Sequence, residues 1–545
     1  MCGFIGFISD INDKQNDAIS KKFDFYYKEL KKRGPDYCEI KKIKFKSKII
    51  QVGFVRLSIQ DISQNSNKIF CDQNNIILFN GEIYNFNELR EKYLSGEKNE
   101  TNSDTEVLFK LYKLKGKNIL NELRGIFSFV FIDLKYENIQ FIRDVTGTKP
   151  LYFLKKLDSL FFSSEAWFLY SLSNKEINTD CLDFFFNFGF TKENDTLIRG
   201  VSKIPPRNLF KFNLNNFILS KEVYFDLNRQ KNNNIYSKNE TTNNVKDCIK
   251  KNLISDAKVG TFLSGGVDST TVTLLAKRYN NNVEAFTTVF LPNEKFKKFN
   301  VDFKYAKKIS DDYDIKLNVS YIESQKQFYD DFIKVTSYLD EPVSNLNFLN
   351  TYWQTKLAKE KDIKVVLTGD GADEIFCGYD RYKSAYIASK FKFFKHFNKK
   401  ISTIEKLKNN EIPLHYYGIF KNMNYEKLMV ASVMGGISIA NSNVGICHPL
   451  SYGLSLVLGL HHGFAICIAF NQLEEYYPEV KEFKEFMANS NISLPKIVNE
   501  SVSEDQINKM ADATLKNDRP LENAFGKNWR EIFTKDIVIE LIRKM

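Results

Sequence analysis

Hydrophobic and polar residues alternate in short runs over the first two hundred positions. KIIQVGFVRLSIQD (from Lys48), NNIILFNGEIYN (from Asn74) and IFSFVFIDL (from Ile126) are rich in β-branched and aromatic residues and are bounded by Gly, Asn and Asp, which predicts strands. Between them, FNELREKYL (from Phe86) and SDTEVLFKLYKL (from Ser103) carry apolar residues at helical spacing. The pattern predicts an α+β domain with much sheet. Residues Asn228 to Asn244 are polar and low in complexity and read as a linker. Beyond them VGTFLSGGVDSTTVTLLAKRY (from Val259) reads as a buried strand, a glycine turn and a helix. VEAFTTVFL (from Val283) and IKVVLTGDGADEIFCGYDRY (from Ile363) repeat the theme. Strands alternating with helices predict an α/β domain on a parallel sheet, with its ligand at the strand C-termini. From about residue 425 no strand pattern survives, and an all-α tail is expected.

The 545 residues are too many for one ordinary core, so several domains are expected. With 43% hydrophobic and 27% charged residues the composition is that of a soluble globular protein. The net charge of +11 is spread along the chain without a basic arm, so nucleic acid is not an expected partner. Leu428 to Leu473 lacks Lys, Arg, Asp and Glu over a length that could span a bilayer. It also holds Asn441, Asn443, His448, Pro449, His461 and His462, so buried helices are expected and no membrane. The eight cysteines form no C-x-x-C pair and no signal peptide precedes them. A cytoplasmic protein with reduced thiols is expected.

Cysteine at position 2 is small enough for Met1 to be removed, leaving a thiol and an α-amine on one residue. An α-amine has a pKa of about 7.7–8, so part of it is neutral at physiological pH and can take the thiol proton. No histidine occurs in the first three hundred residues, so a local Cys–His dyad is excluded. MCGFIGF, FVRLSIQD, FNGEIYNFNELR and NSDTEVLFKLY follow in that order, and RDVTGTKPLYF and SSEAWFLY extend the series to residue 170. Together they resemble the class II, N-terminal-nucleophile glutamine amidotransferases, and among them asparagine synthetase. The resemblance implies an αββα sandwich over residues 2–210, followed by a linker at 211–245. It makes Cys2 the nucleophile and gives Arg56 the glutamine α-carboxylate and Asp104 its α-ammonium. Asn80 and Gly81 would form the oxyanion hole, and Glu82 would line the glutamine site. Arg207 departs from the family pattern, standing where a PPG turn has glycine.

LSGGVDST (Leu263 to Thr270) reads as a pyrophosphate-binding loop, because small residues and a helix N-terminus let backbone N–H groups approach a phosphate. Together with DEPVSN at Asp340 and the second glycine segment it resembles the ligase domain of asparagine synthetase, here over 246–424. The resemblance implies that Phe262, Ser264, Gly265, Gly266, Asp268, Ser269, Thr288, Thr368 and Gly369 bind ATP. Asp268 and Asp373 would hold Mg2+, and Asp370 would serve formation of the acyl-adenylate. The substrates implied are glutamine, ATP and aspartate or another carboxylate, and a homodimer is among the expected assemblies.

The family's later motifs, including its ExRxPFLD stretch, do not occur. ASVMGGISIANSNVGICHPLSYGLSLVLGLHHGFAICIAF instead resembles the helical domain of iron-containing alcohol dehydrogenases, which makes 425–545 a helical tail beyond a shortened ligase domain. His448 and His462 match a metal ligand or active-site histidine of that family, or serve only in packing. The Asp-x-x-x-His helix and the NAD-binding half of a dehydrogenase are absent. The economical reading is a fusion near residue 425 that keeps the glutaminase and impairs the synthetase. Amidation of a sugar acid and a remnant with glutaminase activity alone are the other readings.

Overall fold

The computed structural model describes residues 2–226 except 193, 237–290, 300–379 except 344, 446–477 except 461, 480–489, 494, 496–497 and 502–545. The chain divides into two compact units, residues 1–384 and 385–545.

Eleven strands open the first unit: β1 (Gly3–Asp10), β2 (Tyr37–Phe45), β3 (Lys48–Arg56), β4 (Asn75–Ile83), β5 (Gly125–Asp133), β6 (Asn138–Arg143), β7 (Tyr152–Lys155), β8 (Ser159–Ser163), β9 (Val201–Lys203), β10 (Asn208–Asn213) and β11 (Leu219–Val223). They form two antiparallel sheets, ordered β2-β3-β1-β8-β7-β9 and β11-β10-β6-β5-β4. Side chains alternate across a strand, so each strand serves two layers. Phe4 and Ile8 of β1 pack between the sheets with Val52, Leu78, Val130, Phe141, Phe162 and Phe212. Ile5 and Phe7 point the other way, onto Ile19, Phe23 and Tyr27 of helix α1 (Asn16–Leu30). On the far side, Phe79, Phe129 and Phe131 meet Leu108, Leu111 and Tyr112 of a helix at Asp104–Lys115. The layers run helix, sheet, sheet, helix, which is the expected αββα sandwich.

The sandwich continues through β11 to Val223, so the linker expected to start at 211 begins too early. The edge strand β11 reads LSKEV and is largely exposed, so it lacks the apolar alternation that marks the inner strands. At the other end of that segment a helix at Lys238–Asn252 starts on a capping box made by Ser237 and Glu240. Residues 227–236 of the expected linker, and the expected junction near 425, lie outside the described residues. Arg207 has φ +66°, in the left-handed region where glycine is at home, which accounts for the family's glycine there.

The rest of the first unit carries four parallel strands: β12 (Val259–Phe262), β13 (Glu284–Phe290), β14 (Leu317–Ile322) and β15 (Val365–Leu367), in the order β14-β13-β12-β15. The chain steps outward from β12 to β14 and then returns to place β15 on the opposite side of β12. The crevice between β12 and β15 is therefore the topological switch point where such sheets bind ligands.

In the second unit the described residues are helical, with helices at Cys447–Leu458, His462–Asn471, Val480–Asn489, Glu504–Leu515, Asp518–Phe525, Trp529–Ile532 and Lys535–Lys544. Their core includes Leu450, Leu454, Met510, Trp529, Phe533 and Ile542. A Cβ on Gly453 would lie 2.6 Å from the Met510 carbonyl oxygen, so glycine lets the first and fourth of these helices cross closely. No described helix is long and apolar enough to cross a membrane.

The inter-sheet layer depends on Phe141, fully buried with ring centroids of Phe153, Phe162 and Phe212 at 6.2, 5.4 and 5.5 Å. Phe141→Ala is expected to cost about 3–5 kcal/mol, read as a lower denaturant midpoint for the sandwich.

Candidate active sites

The alternation that fills the space between the two sheets also assembles the first site. On β1 the residues sharing a face with Phe4 and Ile8 extend back to Cys2. On β3 the face of Val52 and Phe54 extends to Arg56, and on β4 that of Leu78 extends to Asn80 and Glu82. Since Gly3 pairs with Val55, the register sets Cys2 opposite Arg56. The apolar layer thus ends in a ring of polar residues.

Arg56 is buried, and its guanidinium donates only to neutral acceptors: Asn67 Oδ1 at 2.6 Å, the Gln60 carbonyl at 2.9 Å and the Asp61 carbonyl at 2.7 Å. It enters no ion pair among the described residues, so its charge is available to an incoming carboxylate. Glu82 and Asp104 lie close together, Asp104 buried and Glu82 half-buried with its carboxylate turned inward. Burial, reinforced by the neighbouring Asp104 charge, raises Glu82 well above the usual carboxylate range. Burial likewise raises Asp104 to about 6, against hydrogen bonds from the Ile83 N–H at 2.9 Å and the Thr105 hydroxyl at 3.3 Å. Two buried carboxylates repelling each other make a receptor for a cation.

Asn80 is fully buried, and neither its amide nitrogen nor its amide oxygen has a hydrogen-bond partner. Such a group costs stability unless a ligand completes it, and the amide of an oxyanion hole is that kind of group. A Cβ on Gly81 would fall 2.2 Å from the Ile126 carbonyl oxygen, so glycine is demanded there by the closeness of β5 as well as by any catalytic part. The Cys2 thiol points at the Leu57 carbonyl (3.7 Å), and burial pushes its pKa up, opposed by the charge of Arg56. Arg33 donates to the Cys2 carbonyl at 3.2 Å and pairs with Glu165 at 3.1 Å.

Lys149 also belongs to this site, although the motif around it drew no assignment from sequence. Burial lowers its pKa, as does the charge of Arg33, while Glu82 and Cys2 raise it. Its loop is shaped by Asp144, which accepts from the N–H groups of Phe127, Thr146 and Thr148, and by Arg143, which donates to the Lys149 carbonyl at 2.8 Å. The signal in the sequence was the RDVTGTKP run itself.

At the second site Leu263–Gly266 leads from β12 into helix α2 (Val267–Tyr279). The Ser264 and Ser269 hydroxyls lie 2.9 Å apart, and the Gly266 N–H donates to Ser264 Oγ at 3.3 Å. Gly265 has φ +84°, and a Cβ there would lie 2.4 Å from Tyr305 Cβ. A Cβ on Gly369 would come within 2.9 Å of the Ser269 nitrogen and 3.0 Å of Asp268 Cβ, so the two glycine segments meet at the switch point. Phe262 and Thr288 stand toward the C-terminal ends of β12 and β13, with Thr288 Oγ1 buried and unpartnered. Thr368 donates to Asp370 at 2.9 Å, leaving that carboxylate exposed in the loop. Asp373 stands in the short helix Ala372–Phe376.

Asp340 and Glu341, expected on the ligase side, reach the sandwich. Asp340 accepts from the Ala166 N–H at 2.7 Å, and its backbone carbonyl accepts from the Tyr170 hydroxyl at 2.9 Å. Glu341 pairs with Lys203 at 3.2 Å. In the second unit the His448 ring packs edge-on against Tyr452. Among the described residues no group of three His, Cys, Asp or Glu side chains converges on a metal position.

A glutamine amidotransferase domain model matches residues 1–225, and an asparagine synthase model matches 240–423. A protein of Methanocaldococcus jannaschii, provisionally designated asparagine synthetase (glutamine-hydrolyzing) 2, is 31% identical over 418 residues, which cover 71% of this chain and 77% of that one. The chain belongs to the glutamine-hydrolysing asparagine synthetase family. Asparagine synthetase (glutamine-hydrolyzing) 1 of Bacillus subtilis (strain 168) is 30% identical over 388 residues. They cover 70% of this chain and 60% of the length of that family member.

The carboxylate pair predicts opposite effects on binding and on stability. A carboxylate whose folded pKa is raised destabilises the fold above that value, and the penalty is relieved as pH falls toward the unfolded value. For Asp104 the window runs from about 6 down to the ordinary 3.8. Glutamine affinity of a Cys2→Ala variant should weaken as pH falls through about 6, while the ligand-free protein gains thermal stability. Asp104→Asn should cut affinity at least about tenfold at neutral pH and raise the melting temperature. Calorimetry across pH checks both.

Proposed function

We propose that the chain is a glutamine-dependent amidotransferase of the asparagine synthetase type. Glutamine hydrolysed at Cys2 supplies ammonia to a carboxylate activated by ATP, with aspartate the acceptor that the family favours. The observation that carries the reading is the set of charges around Cys2, with Arg56 opposite it, Glu82 near it and Asp104 next to Glu82.

Arg56 takes the glutamine α-carboxylate, and Asp104 and Glu82 take the α-ammonium. This holds the side-chain amide against Cys2 Sγ. The Cys2 α-amine, exposed once Met1 is removed, accepts the thiol proton as sulfur attacks the amide carbon. Asn80 Nδ2 and the Gly81 N–H hold the developing oxyanion. The proton then passes to the departing nitrogen and ammonia leaves a thioester. Water cleaves the thioester, giving glutamate and free Cys2.

At the switch point the backbone of Ser264–Ser269 and the N-terminus of α2 cradle the ATP phosphates, with Phe262, Thr288, Thr368 and Gly369 lining the nucleotide. An acceptor carboxylate oxygen attacks the α-phosphorus and pyrophosphate leaves. Ammonia then attacks the acyl carbon and AMP leaves. Asp268 and Asp373 offer hard carboxylate oxygens of the kind Mg2+ takes together with phosphate and water. Asp268 touches the second glycine segment, which fits this use. The ion would neutralise charge on the departing pyrophosphate. The acceptor pocket is where the family uses motifs missing from this chain, so amide formation is the step expected to suffer. We place the protein in the cytoplasm, with a homodimer as one candidate assembly.

The test separates the halves. The purified chain should hydrolyse glutamine, exchange labelled pyrophosphate into ATP when aspartate is present, and form little or no asparagine. Cys2→Ala should lose hydrolysis by at least about a thousandfold and keep the exchange, while Asp268→Asn should do the reverse. Exchange driven by a sugar acid and not by aspartate would move the acceptor to that class. Loss of both activities in either variant would overturn the two-site reading.

A further inference from the structure

The stretch from Gly34 to Asp36 runs along the end of β3, where Arg56 stands. A Cβ on Gly34 would fall 2.5 Å from the Arg56 nitrogen, so the two backbones touch. The Asp36 N–H donates to the Arg56 carbonyl at 3.0 Å, and Asp36 Oδ2 accepts from the Ser58 N–H at 2.7 Å. Asp36 thus grips the backbone on both sides of Leu57, whose carbonyl faces the Cys2 thiol at 3.7 Å. Its carboxylate is close enough to Arg56 for the guanidinium charge to act on it. An unpaired anion in that place would oppose an incoming carboxylate and offset part of the charge that Arg56 offers.

The balancing charge comes from the parallel sheet. Lys364, which immediately precedes β15 and lies 328 positions along the chain, donates to the same Asp36 Oδ2 at 2.8 Å. Nothing in β15 calls for a cation here, since Val365–Leu367 pair with β12 through the backbone. The Lys364 and Asp36 side chains remain 31% and 28% exposed, so solvent screens the pair and its contribution to stability is small. Burial works against the Asp36 carboxylate, yet the bonds from Lys364 and the Ser58 N–H hold its pKa below the ordinary range. The acid is therefore charged at neutral pH, and its effect on Arg56 depends on whether the lysine covers it.

We propose that Lys364 is a positioning residue of the glutaminase, supplied by the nucleotide-binding part of the chain. By pairing with Asp36 it cancels the anion beside Arg56 and keeps that carboxylate aligned on the Ser58 N–H, so that Arg56 meets the glutamine α-carboxylate with its full charge. The assignment rests on the glutaminase reading of Cys2. It makes the glutamine site depend on a side chain at the start of β15, outside the sandwich that holds the reacting groups.

Steady-state glutamine hydrolysis by the full chain tests this with Lys364→Met and Lys364→Gln. Either should raise KM for L-glutamine about three- to tenfold at low salt. The turnover number should stay within about twofold, since no contact with the reacting carbon is lost. The rise in KM should shrink in about 0.5 M salt, where a partly exposed charge is screened. Lys364→Arg, which keeps the cation, should restore the wild-type KM. Adding Asp36→Asn to Lys364→Met removes the uncovered anion but keeps an acceptor for Ser58, and should bring KM most of the way back. A KM unchanged in both neutral variants overturns the assignment and leaves the glutaminase standing. A raised KM that neither salt nor Asp36→Asn relieves is what a merely structural role would give, and overturns it equally. Absence of glutamine hydrolysis in the wild type overturns both readings.

Discussion

The fold of the first two hundred residues holds opposite charges buried and apart. Arg56, Glu82 and Asp104 come together where the apolar layer between the sheets ends, and none of them is joined to another in an ion pair. Left alone, the carboxylates are pushed toward their protonated forms and the guanidinium bonds only neutral oxygens. That arrangement is unfavourable in the empty protein and becomes favourable when a zwitterion supplies one charge of each sign. The αββα layering makes this tolerable, because long strands anchored on both faces cannot relax to neutralise the site. Stability is given up locally so that a ligand can restore it.

The same logic of fixed backbone reaches the second half of the unit. Asp256, just before β12, clamps the turn that holds Arg56. Lys364, just before β15, pairs with Asp36 at 2.8 Å, and Asp36 in turn accepts from the Ser58 N–H at 2.7 Å. The segments leading into the two strands that form the switch-point crevice are thus bonded directly to the loops around Cys2. Asp340 is half-buried against Ala166, and desolvation of its carboxyl is the main cause that raises it to about 7. The nucleotide sheet and the glutamine pocket are parts of one packed body, which suits a reaction in which the product of one site is consumed at the other.

Much of this was legible from residues alone. Cys2, Arg56, Asn80, Glu82 and Asp104 sit in short motifs because each is set by strand register or by a helix start, both of which are local. The LSGGVDST loop and the second glycine segment were legible for the same reason, and their meeting at Gly369 follows from the strand order. The place of Lys149 at the site was not, because it depends on how a loop folds back over the sheet ends. The sandwich boundary was misplaced because β11 is an exposed edge strand with little apolar alternation. The His448 ring lies edge-on to Tyr452.

A ring of charges that delivers glutamine to Cys2 makes that thiol the one an analogue of glutamine should reach. Intact-mass analysis and peptide mapping after treatment with a diazoketone analogue of glutamine read this out. A chain lacking Met1 with one adduct, on Cys2, is expected in the wild type and should be suppressed by Arg56→Ala. An adduct on another of the eight cysteines, or none at all, would contradict it.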